Sequence, residues 1–223
     1  MANDRTMHLT AFALALLSGV ACASPTDGRG DLPPPKVDLP ARAGQREATA
    51  VFAGGCFWCT EAVFEPLAGV SEVVSGYAGG SRADADYHKV SAGGTGHAES
   101  IRISYDPTKI SYGQLLRVFF TLHDPTQLDG QGPDWGRQYR AAIFYVGDDE
   151  KRVAQAYIKQ LLEAHVFSRP IVTTLEPLSA SGFYPAEGYH QDYVKHHPDD
   201  PYVRVHAVAK LKKLREKFPA LVR

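Results

Sequence analysis

Residues 99–105 (ESIRISY) alternate polar and apolar with a period of two, the pattern of a half-buried strand, and Asp106-Pro107 ends the run. Residues 50–53 (AVFA), 70–77 (VSEVVSGY), 141–146 (AAIFYV) and 171–175 (IVTTL) are short apolar runs that predict further strands. Residues 111–122 (SYGQLLRVFFTL) place apolar side chains at helical spacing, with Ser111 as the N-cap. Residues 149–165 and 207–218 (AVAKLKKLREKF) read as amphipathic helices, the second basic, and a helix follows the first strand over 60–64. Strands and helices interleave, which leaves α/β or α+β with one mixed sheet. The expectation is α+β: a single domain whose central mixed sheet is flanked by helices, a ferredoxin-like core with long loops. Those loops, at 79–97, 123–138 and 179–201, are polar and rich in Tyr, His, Asp and Glu. Ordered loops of that length usually carry function.

The ends read differently. Residues 9–20 (LTAFALALLSGV) form an apolar run too short for a bilayer, which needs about 20 residues. Ala21-Cys22-Ala23 then matches the small-x-small cleavage site of a secretory signal. The expected organisation is a signal peptide over 1–23, a disordered linker over 24–46 and a catalytic domain over 47–223. An exported chain follows, with the bacterial periplasm as its compartment. Cys22 admits a second reading, as the lipidated cysteine of a membrane-anchored lipoprotein. The linker assignment rests on Pro, Gly and charge, a composition that cannot build its own core. The formal net charge of −1 argues against a nucleic-acid partner.

With the leader removed, the three cysteines fall to two, and both lie in Gly54-Gly55-Cys56-Phe57-Trp58-Cys59. Two thiols cannot form a disulfide framework, so this pair points to chemistry. Cys56 falls where strand passes to helix, and the partial positive charge of a helix N-terminus favours a thiolate. A nucleophilic thiol, a second thiol one turn on and an aromatic wall make a redox site. A Cys2His2 zinc site, with histidines from His97, His190, His196 or His197, is the competing use of such thiols, but the histidines lack finger spacing. No metal is expected.

The motifs GCFWCTEAVF, SGYAGG, DYHKVSAGGTGHAES, YDPTKISYGQLL, HDPTQLDGQGPDWGRQYRAAIFY and YPAEGYHQDY run in order along most of the expected domain. Together they resemble the peptide methionine sulfoxide reductase A family. The resemblance implies reduction of the S epimer of methionine sulfoxide, free or in oxidised proteins, with no bound cofactor. It implies Cys56 as nucleophile and Phe57 and Trp58 as the aromatics around the substrate methyl group. Tyr87, Glu99 and Tyr139 match the groups that bond the sulfoxide oxygen, and Asp134 an acid near that pocket. Pro133 and Trp135 depart from the commoner residues of the family loop.

The residue types suit that chemistry. A sulfoxide is a poor electrophile until its oxygen is protonated or strongly hydrogen-bonded. Burial would keep a proton on Glu99, and the two tyrosines donate without charge. Cys56 attacks sulfur and is left as a sulfenic acid, which a neighbouring thiol removes as a disulfide. Many family members carry that resolving thiol in the C-terminal tail, just after a tyrosine like Tyr202. Here the position is Val203 and no cysteine follows. Cys59 is therefore the expected resolving thiol, and a thioredoxin-like reductant, or dithiothreitol in vitro, would reduce Cys56–Cys59. A monomer is expected. The reading from another class is a thioredoxin-like thiol-disulfide oxidoreductase. Glu99 with two tyrosines favours the reductase.

Overall fold

The computed structural model describes residues 31–178 and 182–223. The proposed leader, with its cleavage or lipidation point, and linker residues 24–30 lie outside the described residues. In chain order the elements are β1 (Ala48–Gly54), α1 (Phe57–Phe64), β2 (Val70–Ala78), α2 (Tyr87–Ser91), β3 (Ala98–Tyr105), α3 (Tyr112–Leu122), β4 (Gly130–Gln131), β5 (Asp134–Trp135), β6 (Ala141–Tyr145), α4 (Asp148–Glu163), β7 (Thr174–Pro177), β8 (Phe183–Pro185), α5 (Tyr193–His196) and α6 (Val208–Lys217).

One sheet carries the order β7-β6-β1-β3-β2-β8, and a two-stranded ribbon pairs β4 with β5. The units β1-α1-β2 and β3-α3-β6 put four central strands in the order β6-β1-β3-β2, all antiparallel. That is the split βαβ arrangement of a ferredoxin-like core. β7 adds parallel to β6, which makes the sheet mixed. The strand expected over 171–175 begins three residues late, at Thr174. The first helix begins three residues early, at Phe57, with Cys56 as its N-cap residue. Ser111 caps α3 as expected: its side chain accepts the Gln114 N–H while Gln114 Oε1 accepts the Ser111 N–H.

Phe52, Phe64, Tyr112 and Phe119 form an aromatic centre on the α1/α3 face, with Phe52 5.9 Å from Phe64 and 5.0 Å from Phe119. The opposite face of the sheet buries mainly small residues, Val51, Ala53, Ala78, Ala98 and Ala142, with Phe144. The alternation of the strands sorts the two sets, since neighbouring residues point to opposite faces.

The linker expectation fails for its second half. Leu32 is buried in the main core, and the chain that follows is tied to two helices. Tyr157 donates to the Pro33 carbonyl and Gln160 to the Pro34 carbonyl, each at 2.9 Å, and Arg117 donates to the Leu32 carbonyl at 2.8 Å. Asp38 accepts Ser111 Oγ–H at 2.5 Å and the Gly113 N–H at 2.7 Å. A proline-rich strap cannot build a core, but its carbonyls can be satisfied by side chains of a core built elsewhere. The folded unit thus includes Leu32, well before Glu47.

Asp38 supports the start of α3, and β3 leads there from the end of the sheet where Tyr105 pairs with Ala48, opposite Cys56. Asp38→Ala is expected to cost about 1–2 kcal/mol, the usual worth of a cap plus a charged hydrogen bond. The check is a lower urea midpoint at unchanged slope, with single-turnover chemistry preserved.

Candidate active site

β1 ends on Gly54 and the chain turns into α1 through Gly55, whose φ is +89°. A Cβ on Gly55 would collide with Cβ and Cγ of Gln131. Glycine is therefore required on two counts at the residue that aims Cys56. Cys56 takes a non-helical conformation, and its carbonyl accepts the Thr60 N–H at 3.2 Å and Thr60 Oγ1–H at 3.1 Å. The Phe57 N–H, one of the helix's otherwise unpaired donors, goes to Glu99 Oε2 at 3.0 Å. Glu99 stands near the start of β3 and is 3% exposed. One short bond thereby sets the nucleophile's helix against the acid's strand.

A cavity of about 250 Å³ opens here, lined by Cys56, Phe57, Trp58, Tyr87, Glu99, Asp134, Tyr139, Tyr193, Asp200 and Tyr202. Seven of these were singled out from the sequence, and they come from α1, α2, β3, β5 and the turn over residues 137–139. Tyr87 opens α2, which Asp86 caps by accepting the His88 and Lys89 N–H groups. Gln138 donates to the Ser91 carbonyl at the end of α2, so the Tyr87 and Tyr139 segments hold each other. Arg140 braces the same corner with a pair of hydrogen bonds to the Glu176 carboxylate at 3.1 and 3.0 Å and a further one to the Gly96 carbonyl.

Cys59 is the exception among the expected residues. It does not line the cavity. It is 1% exposed and packs behind the cavity wall on Val203 and Ala207, beside Tyr193, Val194 and Tyr202. Val203, at the position where family members can carry a tail thiol, thus covers the second thiol of this chain.

The sequence reading missed Tyr193 and Asp200 and gave Tyr202 no site role. The Tyr193 ring stacks on Trp58, centroids 3.7 Å apart and planes at 7°. Trp58 Nε1–H donates to His190 Nδ1 at 3.1 Å, which leaves the neutral ring's proton on Nε2. Burial holds the His190 pKa down, consistent with that neutral form. Tyr202 hydroxyl donates to Asp134 Oδ2 at 2.5 Å. Asp200 accepts the Tyr202 N–H at 2.8 Å and fixes that ring's backbone. The available signal was the density of Tyr, His and Asp over 189–202.

Electrostatics sort the ionisable groups into roles. Burial pushes the Glu99 carboxyl up to about 8, against the opposing effect of the Phe57 N–H. Near neutral pH the group keeps its proton and can give it to an oxygen in the cavity. Burial holds Tyr87 and Tyr139 above the usual phenol range, so both remain donors. The two thiols share a hydrogen bond. Burial raises Cys56 well above an ordinary thiol, while the bond from Cys56 brings Cys59 down to about 7. The helix-terminal thiolate expected at Cys56 is thus offset by burial and by nearby Glu99, whose charge would oppose a second anion. A neutral Glu99 serves twice, as proton source and by leaving Cys56 free to ionise.

A buried reactive thiol, a protonated carboxyl and neutral donors around an apolar wall define a thiol-dependent oxidoreductase. The family model described as peptide methionine sulfoxide reductase matches residues 48–221. The chain is 52% identical over 190 residues to MsrA 2 of Synechocystis sp., covering 84% of this chain and 88% of that one. It is 50% identical to an MsrA of Thermus thermophilus, covering 79% and 98%. Among solved structures it resembles reduced Mxr1 from Saccharomyces cerevisiae with a TM-score of 0.65 at 31% identity, over 77% of this chain and 96% of that one. Methionine sulfoxide reductase A of Corynebacterium diphtheriae gives 0.60 at 32% identity, over 70% and 78%. The chain belongs to the peptide methionine sulfoxide reductase family.

Glu99 sets a pH prediction. Its proton is held below about 8 and lost above. Single-turnover methionine formation should therefore level off as pH rises through that value, where loss of the Glu99 proton offsets the ionisation of Cys56, and fall only once that thiol, held higher by burial, is itself ionised. Glu99→Gln should lose about 10²–10⁴-fold in that rate and the alkaline limb with it. Rapid-quench kinetics from pH 6 to 10 provide the check.

Proposed function

We propose that this protein reduces the S epimer of methionine sulfoxide, in oxidised proteins or free, and returns to its starting state through a Cys56–Cys59 disulfide. The observation that carries the reading is the placement of Cys56, Glu99, Tyr87, Tyr139 and the Phe57/Trp58 wall around one cavity of side-chain size. The aromatics take the methyl end of the substrate, and Glu99 with the two tyrosines takes the S=O end.

Cys56 sulfur attacks the substrate sulfur while the Glu99 proton goes to the oxygen. The S–O bond breaks, the oxygen takes the thiol's own proton as well and leaves as water, and Cys56 is bonded to the substrate sulfur. Water then attacks Cys56 sulfur, that S–S bond breaks with its electron pair on the substrate sulfur, methionine leaves, a proton returns to Glu99, and Cys56 is left as a sulfenic acid. The Cys59 thiol then forms the S–S bond and the oxygen departs as water. A thioredoxin-like dithiol, or dithiothreitol in vitro, supplies two electrons to open the disulfide. No bound cofactor takes part. Asp134, through its bond to Tyr202, supports the wall beside the thiols. The thioredoxin-like alternative is set aside by the family to which the chain belongs.

Export to the periplasm, by leader cleavage or by lipidation at Cys22, remains part of this proposal and rests on residues 1–23 alone. Repair of oxidised exported proteins would be its setting.

Cys59→Ser tests the cycle. The variant should form one equivalent of methionine from the S epimer and stop, with thioredoxin supporting no further turnover. Steady-state turnover equal to the parent protein would sink the role given to Cys59. Turnover of the R epimer in place of the S epimer would sink the substrate assignment.

A further inference from the structure

The two sulfurs of the pair are not equally reachable. Cys56 lines the cavity that opens to solvent. Cys59 sits one helical turn deeper, under the C-terminal segment. Val203 and Ala207, 1% and 0% exposed, close over it, with Tyr193, Val194 and Tyr202 around them. The segment over residues 203–207 is a π-helical turn, wider than an α-turn, and it packs against α1 before α6 begins. π-turns inside helices are uncommon and often mark functional positions.

The surroundings of the sulfurs differ in the same sense. Lys210, one turn beyond the π segment, places positive charge near Cys59 that outweighs the negative charge of Asp134 there, while the Tyr202 hydroxyl lies beside both sulfurs and favours neither. Cys56 has the Glu99 carboxyl close by, a poor neighbour for a departing thiolate. In thiol-disulfide exchange the rate depends on access to the attacked sulfur and on how well the other sulfur carries negative charge as it leaves. Both considerations select the same direction here. In the mixed disulfide Cys56 no longer donates to Cys59, so Lys210 is the positive charge that remains beside that leaving thiolate.

We infer that the reductant attacks Cys56, through the cavity the substrate has just vacated, and expels Cys59. This deepens the proposed function and rests on the Cys56–Cys59 disulfide assigned there. The reductant is a dithiol whose attacking sulfur can enter a cavity of about 250 Å³. Its thiolate forms a bond to Cys56 Sγ, the Cys56–Cys59 bond breaks, and the electron pair goes to Cys59, which takes up a proton. The second reductant thiolate attacks the reductant's own sulfur in the mixed disulfide. The reductant leaves as a disulfide, and Cys56 regains its thiol. Substrate and reductant therefore use one entrance in turn, and methionine must leave before reduction begins.

The test uses the full chain, oxidised with one equivalent of methionine sulfoxide and peptide-mapped to establish the Cys56–Cys59 bond. Absence of that bond would overturn the reading beneath this inference rather than the inference itself. The oxidised protein is then mixed with a thioredoxin whose second active-site cysteine is serine. The reaction is quenched in acid, alkylated under denaturing conditions, and the adduct located by fragment-ion mass spectrometry. Thioredoxin on Cys56 with the alkyl label on Cys59 is the expected result, and the reverse pattern overturns it. A second measurement reads out whether or not the adduct accumulates. Ellman's reagent should label Cys56 in native Cys59→Ser roughly tenfold or more faster than Cys59 in native Cys56→Ser. Equal rates, or faster labelling of Cys59, overturn the inference.

Discussion

The bond from the Phe57 N–H to Glu99 Oε2 is the constraint on which the site depends. It closes one of the helix-terminal donors that the start of α1 leaves open, and it does so with the group proposed to give up a proton in the reaction. A backbone donor would ordinarily draw a carboxyl toward ionisation. Burial acts against that and dominates, so Glu99 stays neutral near pH 7 while its position is fixed. The same bond holds α1 against β3, which seats Cys56 beside the acid. A sulfoxide entering the cavity meets a proton donor that needs no rearrangement and a sulfur that does not face a second negative charge.

The wall opposite the acid depends on α1 as well. Glu61 is buried and accepts the Asp192 N–H at 3.1 Å. Asp192 is in the left-handed region at φ +54°, and the chain turns there into α5, which presents Tyr193 to Trp58. Lys195 bridges the Glu65 and Asp192 carboxylates. One eight-residue helix and its N-cap residue thus carry both thiols, the Trp58 platform and the latch for the segment that covers them. Burial pushes the Glu61 carboxyl up to about 7, so near neutral pH this latch exchanges between acid and carboxylate and accepts the Asp192 N–H in either form.

What could be read from the chain divides along physical lines. Strands with clean period-two patterns, such as 99–105, and helices with their own caps, such as α3 behind Ser111, are local properties and were legible. Cys56, Tyr87, Glu99 and Tyr139 line one cavity, and they could be singled out because the motifs that carry the family resemblance are short and contiguous. Tyr193 and Tyr202 were not, because their place depends on Glu61 and Asp134, partners far away in sequence. The strap over 32–38 was misread for a related reason. Composition reports whether a segment can build a core, and says nothing of whether Tyr157, Gln160 and Arg117 elsewhere have donors to spare for its carbonyls.

The remaining step is geometric. Residues three apart in a helix hold their Cβ atoms about 5–6 Å apart, whereas a disulfide wants about 3.5–4.5 Å. Cys56, as the N-cap residue, is not held at that helical spacing, and its Cβ must come within the disulfide range of Cys59 for the two to join. Two bonds to the Cys56 carbonyl resist that, one from the Thr60 N–H and one from Thr60 Oγ1–H. Breaking either costs only about 0.5–1.5 kcal/mol, and the other keeps the carbonyl satisfied meanwhile. Cys56 is the N-cap residue, outside the regular helix, so it can move without unwinding α1. Cys59 is pinned by Val203 and Ala207 and stays where it is. Forming the proposed disulfide therefore moves Cys56 to the buried thiol, and the C-terminal segment need not open. A tail thiol would have to be carried in to the nucleophile; here the movement is confined to one residue at a helix end.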